Sequence, residues 1–291
     1  MKCKFHVTFF IGFFIQQHRI RVFPILSCFV RLLLLYICYI LYNRFNERGN
    51  YVKGIIYIAH GSKMPDKNTL FREFVNEIMK HRNESIQKLA FLEKADENVP
   101  LIFSEMIEAG VRECIVVPML LFPAMHAVED IPAQLDAVIA KYPFDIQYTI
   151  ADCFGDEKEV YQVANERIQS FNANHTLIVA HGNKRFTEPD VRLTEAVKLM
   201  QKDSDQNLIP AMLYGALSFE QKLSELNTNE SVVLMPYFLF DGHLVRKIKR
   251  LSQPFIEKGM QITFTETLDL DFNMVQSVLR QIEKVDAVCI Q

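Results

Sequence analysis

Residues 55–62 read IIYIAHGS, and residues 176–183 read TLIVAHGN. Each stretch is a short run of apolar, mostly β-branched residues that passes directly into Ala-His-Gly. A continuous apolar run of this length, bounded by a turn signal, is typical of a strand buried on both faces of a parallel sheet. Both stretches therefore predict the first strand of an α/β unit, with a histidine at its carboxyl end.

A second pair of stretches repeats at nearly the same separation. Residues 115–122 read IVVPMLLF, and residues 232–240 read VVLMPYFLF. Two matches in the same order indicate an internal duplication. We predict two similar α/β lobes, each a doubly wound parallel sheet, with a cleft between them.

The pattern between these stretches alternates strand-like and helix-like segments. In the first half we predict strands near 54–59, 86–92, 113–118 and 144–150, and helices near 67–82, 99–109 and 128–141. In the second half we predict strands near 175–180, 208–214, 231–236 and 261–265, and helices near 188–201, 217–226, 243–258 and 272–284. We place a catalytic N-terminal lobe at 52–171 and a degenerate C-terminal lobe at 172–291.

Residues 1–51 differ from the rest in composition. They contain two apolar runs of 11 residues, 5–15 and 32–42, and seven basic residues against the single acid Glu47. A helix of 11 residues reaches about 16 Å, which is short for a hydrocarbon core of about 30 Å. Two interpretations stay open. Either the start of the chain is misassigned and the protein begins near Val52, or the segment is a membrane anchor or signal-like extension, and only then is a membrane contact expected.

The charge and the cysteine content restrict the class of protein to which residues 52–291 can belong. Taking the seven basic residues and one acid of 1–51 from the totals of 32 and 35 leaves 25 basic and 34 acidic residues in 52–291, a formal charge of −9. Such an acidic body disfavours binding to nucleic acid. The six cysteines form no C-x-x-C pair, and cysteines within apolar runs fit buried thiols in a reducing compartment. We therefore expect a cytoplasmic protein.

Three residues at strand ends are candidates for a functional site. His60 follows the first strand, Glu93 ends the second, and His126 follows the third. The carboxyl ends of parallel strands meet at one edge of a sheet, where such folds bind ligands. Two imidazoles and a carboxylate suit a divalent transition metal, and the same groups can accept protons. The alternative is structural: Glu93 caps a helix, and His126 is bonded to the backbone.

The motifs I-x-Y-I-A-H-G-S at 55–62, F-L-E at 91–93 and V-V-P-x-L-L-x-x-A-x-H-A-x-x-D-I-P at 116–132 resemble the CbiX/SirB family of sirohydrochlorin chelatases. The resemblance covers 53–291. It implies that His60 and His126 are catalytic and contact the metal, and that Glu93 is the accompanying carboxylate. It also implies a lyase that inserts Fe²⁺ into sirohydrochlorin to give sirohaem, with no cofactor beyond the substrate metal, Fe²⁺ or possibly Co²⁺.

The second lobe departs from the motif. The position that answers Glu93 falls near Leu213 and Tyr214, and His243 lies one residue out of register with His126. We therefore expect His181 and His243 to be structural or peripheral, and one active site per chain.

The substrate that the resemblance implies carries eight carboxylates, so basic groups should line the cleft. Lys63, beside His60, is our first candidate to bind it, and further basic residues follow His181 and His243. Because one chain supplies both lobes, we expect a monomer.

Two other functions stay open. One is a cobaltochelatase of cobalamin synthesis, although the sequence ends VDAVCIQ without the His-rich tail of some cobalt chelatases, which favours iron. The other is a non-catalytic, periplasmic-type two-lobed protein that binds metal or tetrapyrrole.

Overall fold

Two parallel sheets form the framework of the computed structural model, which describes Tyr36, residues 52–93 and residues 95–289. The two interpretations of residues 1–51 fall on residues outside this description, apart from Tyr36. Among the described helices, none has both the length and the apolar character needed to cross a lipid bilayer.

All strand pairs in both sheets are parallel. The first sheet has the order β2-β1-β3-β4 and the second the order β6-β5-β7-β8. The predicted fold of two similar doubly wound lobes is confirmed. The strands are β1 Val52–Ala59, β2 Ile86–Phe91, β3 Val111–Pro118, β4 Gln147–Ile150, β5 His175–Ala180, β6 Asn207–Met212, β7 Ser231–Pro236 and β8 Gln261–Phe264.

Helices connect successive strands and cover both faces of each sheet. They are α1 Pro65–Met79, α2 Val99–Glu108, α3 Ile131–Ile139, α4 Lys158–Ile168, α5 Glu188–Met200, α6 Phe219–Ser224, α7 His243–Glu257 and α8 Val275–Cys289. Short turns of other helical types precede α3 (π, His126–Asp130), follow α5 (3₁₀, Gln201–Asp203) and precede α8 (3₁₀, Phe272–Met274).

Two segments differ from the sequence-based prediction. Helix α4 was not predicted, although its buried residues Val160, Val163, Ala164 and Ile168 recur at helical spacing. The helix predicted at 128–141 begins instead with the π-helical turn, so that His126 lies inside helical structure rather than ahead of it.

Each lobe is covered in part by a helix from the other half of the chain. Helix α8 comes from the second half of the chain but packs on α1 and β3 of the first lobe, while α4 comes from the first half and packs on α5 and β7 of the second. One buried apolar cluster consequently contains residues of both sheets, and separate clusters cover their other faces. The lobes therefore share a core.

Ion pairs at the middle of α8 and near its carboxyl end hold it in place. Asp286 accepts hydrogen bonds from Lys53 at 2.9 Å and from Arg82 at 2.7 Å, both in the first lobe. Arg280 donates to Glu159 of α4 at 2.6 Å. This hydrogen bond from Arg280 lowers the pKa of Glu159 to about 2.

The Glu159–Arg280 pair predicts a pH dependence of stability. Because the pKa of Glu159 is lower in the folded protein, its contribution is complete at neutral pH and is lost as the pH falls from about 4.5 towards 2. Glu159→Gln should lower the melting temperature at pH 6, and the difference from the unchanged protein should shrink by pH 3. Glu195→Gln, which removes an exposed pair with Lys198, is the control and should have little effect at either pH. A Glu159→Gln difference that stays constant between pH 6 and pH 3 would contradict this account.

Candidate active site

His60 and His126 lie side by side at the carboxyl edge of the first sheet. His60 follows β1 directly, and His126 opens the π-helical turn that comes after β3. Their ring centroids are 4.7 Å apart, and the rings meet edge to face at 87°. Both residues are half-buried. Two imidazoles at this distance can act on the same small ligand.

Hydrogen bonds at Nδ1 orient both rings. His126 Nδ1 lies 2.7 Å from Asp130 Oδ2, and His60 Nδ1 lies 3.2 Å from the carbonyl oxygen of Gly61. Because both acceptors are oxygens, we infer that Nδ1 carries the proton in each neutral ring. The lone pair is then at Nε2, the nitrogen that would bind a metal or accept a proton.

Asp130 is a further residue of the candidate site, and it was not among the residues predicted from the sequence. It stands in the D-I-P part of the motif, four residues after His126, and positions four apart on a helical turn share one face. A carboxylate on the far nitrogen of an imidazole fixes the ring and raises its basicity. Asp130 is therefore a positioning residue for His126.

Asp130→Asn should lower kcat/KM of the site's reaction by about 10- to 100-fold, because an amide holds the His126 ring less strongly and does not support its positive charge. Asp136→Asn is the matched control, since Asp136 lies on α3 and bonds Tyr148 Oη at 2.8 Å. Equal activity of the two variants would contradict the role of Asp130.

The main chain at Glu93 is in close contact with the turn that carries His60. The Glu93 amide donates to the His60 carbonyl at 3.0 Å. Gly61 has φ +88°, and a Cβ there would lie 2.0 Å from the Glu93 carbonyl oxygen. Glu93 is thus adjacent to His60 through the backbone, while its side chain is exposed. Within residues 52–93 and 95–289, no three His, Cys, Asp or Glu side chains converge as around a metal ion.

The second lobe repeats this arrangement with different side chains. The Tyr214 amide donates to the His181 carbonyl at 3.0 Å. Gly182 has φ +66°, and a Cβ there would lie 1.8 Å from the Tyr214 carbonyl oxygen. Tyr214 therefore occupies the position that Glu93 holds in the first lobe.

His181 lies near the first-lobe histidines, close enough for His60 and His126 to act on its pKa. Its ring meets Tyr214 at 5.3 Å between centroids. The residue is exposed to solvent, yet desolvation by the surrounding protein lowers its pKa to about 4, and protonated His126 and His60 act in the same direction. His181 is therefore neutral at pH 7, and the expectation that it is structural or peripheral stays a prediction.

The basic residues near the crevice differ in their surroundings. Lys63 is exposed in the turn between β1 and α1. Arg185 of the second lobe pairs with Glu129 of the first at 2.7 Å, but both are exposed, so this link contributes little stability. Lys247 is half-buried, and its Nζ donates to Tyr214 Oη at 2.8 Å. Of these three basic side chains, that of Lys247 is therefore the most firmly held.

Comparison with known proteins identifies a family whose model matches this chain. The CbiX family model matches residues 54–171 and again residues 175–285. A sirohydrochlorin ferrochelatase of Priestia megaterium is 26% identical over 84% of this chain and 94% of its own length. A sirohydrochlorin cobaltochelatase of the same organism is 25% identical over 74% of both chains. The solved structure of SirB from Bacillus subtilis with Fe³⁺ has a TM-score of 0.70 at 21% identity, covering 80% of this chain and 94% of that one.

Proposed function

Because the chain belongs to the CbiX family, we propose that it is a sirohydrochlorin chelatase, which inserts a divalent metal ion into the tetrapyrrole ring. The observation that carries this proposal is the pair of imidazoles, His60 and His126, in contact at the carboxyl edge of the first sheet. A parallel sheet places its ligands at this edge. The metal is a substrate of this reaction, and the reaction requires no redox cofactor.

Metal insertion makes two chemical demands on the site. Two pyrrole protons must leave the ring, and the metal must lose water while it is held at the ring face. Imidazole nitrogen meets both demands, since it binds divalent transition metals and accepts protons near neutral pH. We assign these roles to Nε2 of His60 and His126. Glu93, beside His60 on the main chain, completes the metal shell or passes protons outward.

We propose Fe²⁺ as the metal and sirohaem as the product. The ferrochelatase relative is matched over 94% of its length and the cobaltochelatase relative over 74%. Imidazole and carboxylate accept both ions, so the support for iron comes from the relatives and not from the ligand types. A cobaltochelatase is the second candidate, favoured by a match of nearly the same identity.

The test is anaerobic absorbance spectroscopy of sirohydrochlorin with the full chain, offering Fe²⁺ and Co²⁺ in separate reactions. We expect the protein to insert Fe²⁺ faster than the reaction proceeds without protein, which shows the chelatase reaction. We also expect a larger acceleration for Fe²⁺ than for Co²⁺, which shows the preference for iron. Faster insertion of cobalt would replace iron by cobalt in the proposal. Ring or metal binding without acceleration of either insertion would overturn the chelatase proposal and favour a two-lobed binding protein.

We further propose that one chain is the working unit. Both walls of the crevice come from the same chain, and the exchange of α4 and α8 joins them in one core. Size-exclusion chromatography with light scattering should give the mass of a single chain at micromolar concentration.

A further inference from the structure

The Tyr214–Lys247 pair is a feature of the second lobe that the proposed reaction does not use. Lys247 Nζ lies 2.8 Å from Tyr214 Oη and 4.5 Å from the centroid of the Tyr214 ring. Both residues are half-buried. The hydrogen bond and the cation–π contact together fix the ammonium group above the phenol.

The internal duplication shows which first-lobe residue this pair corresponds to. Tyr214 stands where Glu93 stands in the first lobe, as the amide bonds to His181 and His60 show. The first lobe thus places a carboxylate at this position, and the second places a phenol that carries an ammonium group. The charge at equivalent positions is reversed. A site with an ammonium group repels a metal cation and attracts an anion.

The pair also lies beside His181, which is near the first-lobe histidines. The Tyr214 ring contacts His181, and Lys247 is near enough to His181 to act on its charge. His60 and His126 act on His181 in the same way. An anion bound at Tyr214 and Lys247 would therefore belong to a ligand that also reaches the two first-lobe histidines.

The hydrogen-bonding capacity of the pair fits a carboxylate. The ammonium group has three N–H donors and gives one to Tyr214 Oη. Because the phenol oxygen accepts this bond, its own O–H is available as a second donor. Two neighbouring donors, one of them charged, match the two oxygens of a carboxylate.

We propose that Tyr214 and Lys247 bind a peripheral carboxylate of the tetrapyrrole and so orient the ring over His60 and His126. This inference rests on the proposed function and adds a specificity subsite to it. The first lobe then receives the metal, and the second lobe holds the acidic rim of the ring.

The test measures the Kd of metal-free sirohydrochlorin by its absorbance change on binding. Lys247→Gln should raise this Kd about tenfold or more, and Tyr214→Phe should raise it severalfold. Lys247→Arg keeps the positive charge and supplies a fork of N–H donors that suits a carboxylate, so its Kd should lie below that of Lys247→Gln. The control is Lys198→Gln, the same charge change on the exposed face of α5, which should leave the Kd unchanged.

A second measurement separates ring binding from metal binding. The affinity for Co²⁺ alone should be the same in Lys247→Gln and the unchanged protein, because the subsite holds the ring. Circular dichroism checks that each variant is folded, and Tyr214→Phe, which removes a single oxygen atom, tests the subsite should Lys247→Gln not fold. If the unchanged protein binds the ring and both variants bind it equally well, the subsite is wrong and the chelatase proposal stands. If the unchanged protein does not bind the ring, both proposals fail.

Discussion

Replacing His126 with alanine should lower kcat/KM for metal insertion by about 10²- to 10⁴-fold, the range expected when a group that transfers protons is removed. Its ring is 4.7 Å from that of His60, and Asp130 holds its Nδ1. The substitution therefore removes the nitrogen that we expect to face the metal or the pyrrole proton. The measurement is the initial rate of insertion, followed by absorbance, with the metal and the ring varied in turn.

The matched control is His81→Ala. His81 lies just after α1, about half of its side chain is exposed, and it pairs with Glu77 at 3.7 Å. This variant should insert metal at the unchanged rate. A His126→Ala protein that is folded and equally active would exclude His126 from the chemistry, and the proposed mechanism would fail with it.

Gly61→Ala should destabilise the protein by about 3 kcal/mol or more. An alanine at φ +88° has an unfavourable backbone. In addition, its Cβ would lie 2.0 Å from the Glu93 carbonyl oxygen, a distance that requires the main chain to move. Because Glu93 is held against His60 by this contact, the shift should also reduce activity, and a displacement of about 1 Å can cost about 10²-fold in rate.

Gly259→Ala separates the two causes. Gly259 also has a positive φ, +102°, but a Cβ there would meet no heavy atom within 4 Å. Only the backbone cost remains, about 1–3 kcal/mol, and activity should be retained. The measurement is urea denaturation of both variants. If the two substitutions cost the same, the close approach of Glu93 to Gly61 does not stabilise the site.

The strands and the positions of the first-lobe histidines could be predicted because their signals are local. An apolar run that ends in Ala-His-Gly determines both the strand and the place of the histidine at its end. Helix α4 has the same kind of local signal in its spacing of Val160, Val163 and Ile168, so it is predictable from the sequence as well. Its packing on the second lobe was not predictable, because an apolar helix face shows that a surface is buried but not which sheet covers it.

Side-chain partners were harder to predict than the fold. Asp130 could have been found from its spacing to His126. The pairing of Tyr214 with Lys247 joins a strand end to a helix 33 residues later in the chain, and it depends on how the two side chains pack. The surroundings of His181 could not be predicted either, because they combine Tyr214 and Lys247 of its own lobe with His60 and His126 of the first lobe.

The packing of α8 on the first lobe has a consequence for how the protein is made. The helix is synthesised about 160 residues after β3, the strand that it covers. At roughly 5–20 residues per second, a ribosome needs on the order of 10–30 s to reach it. During that interval the nascent first sheet lacks part of its apolar cover, which makes it a target for chaperones and for aggregation.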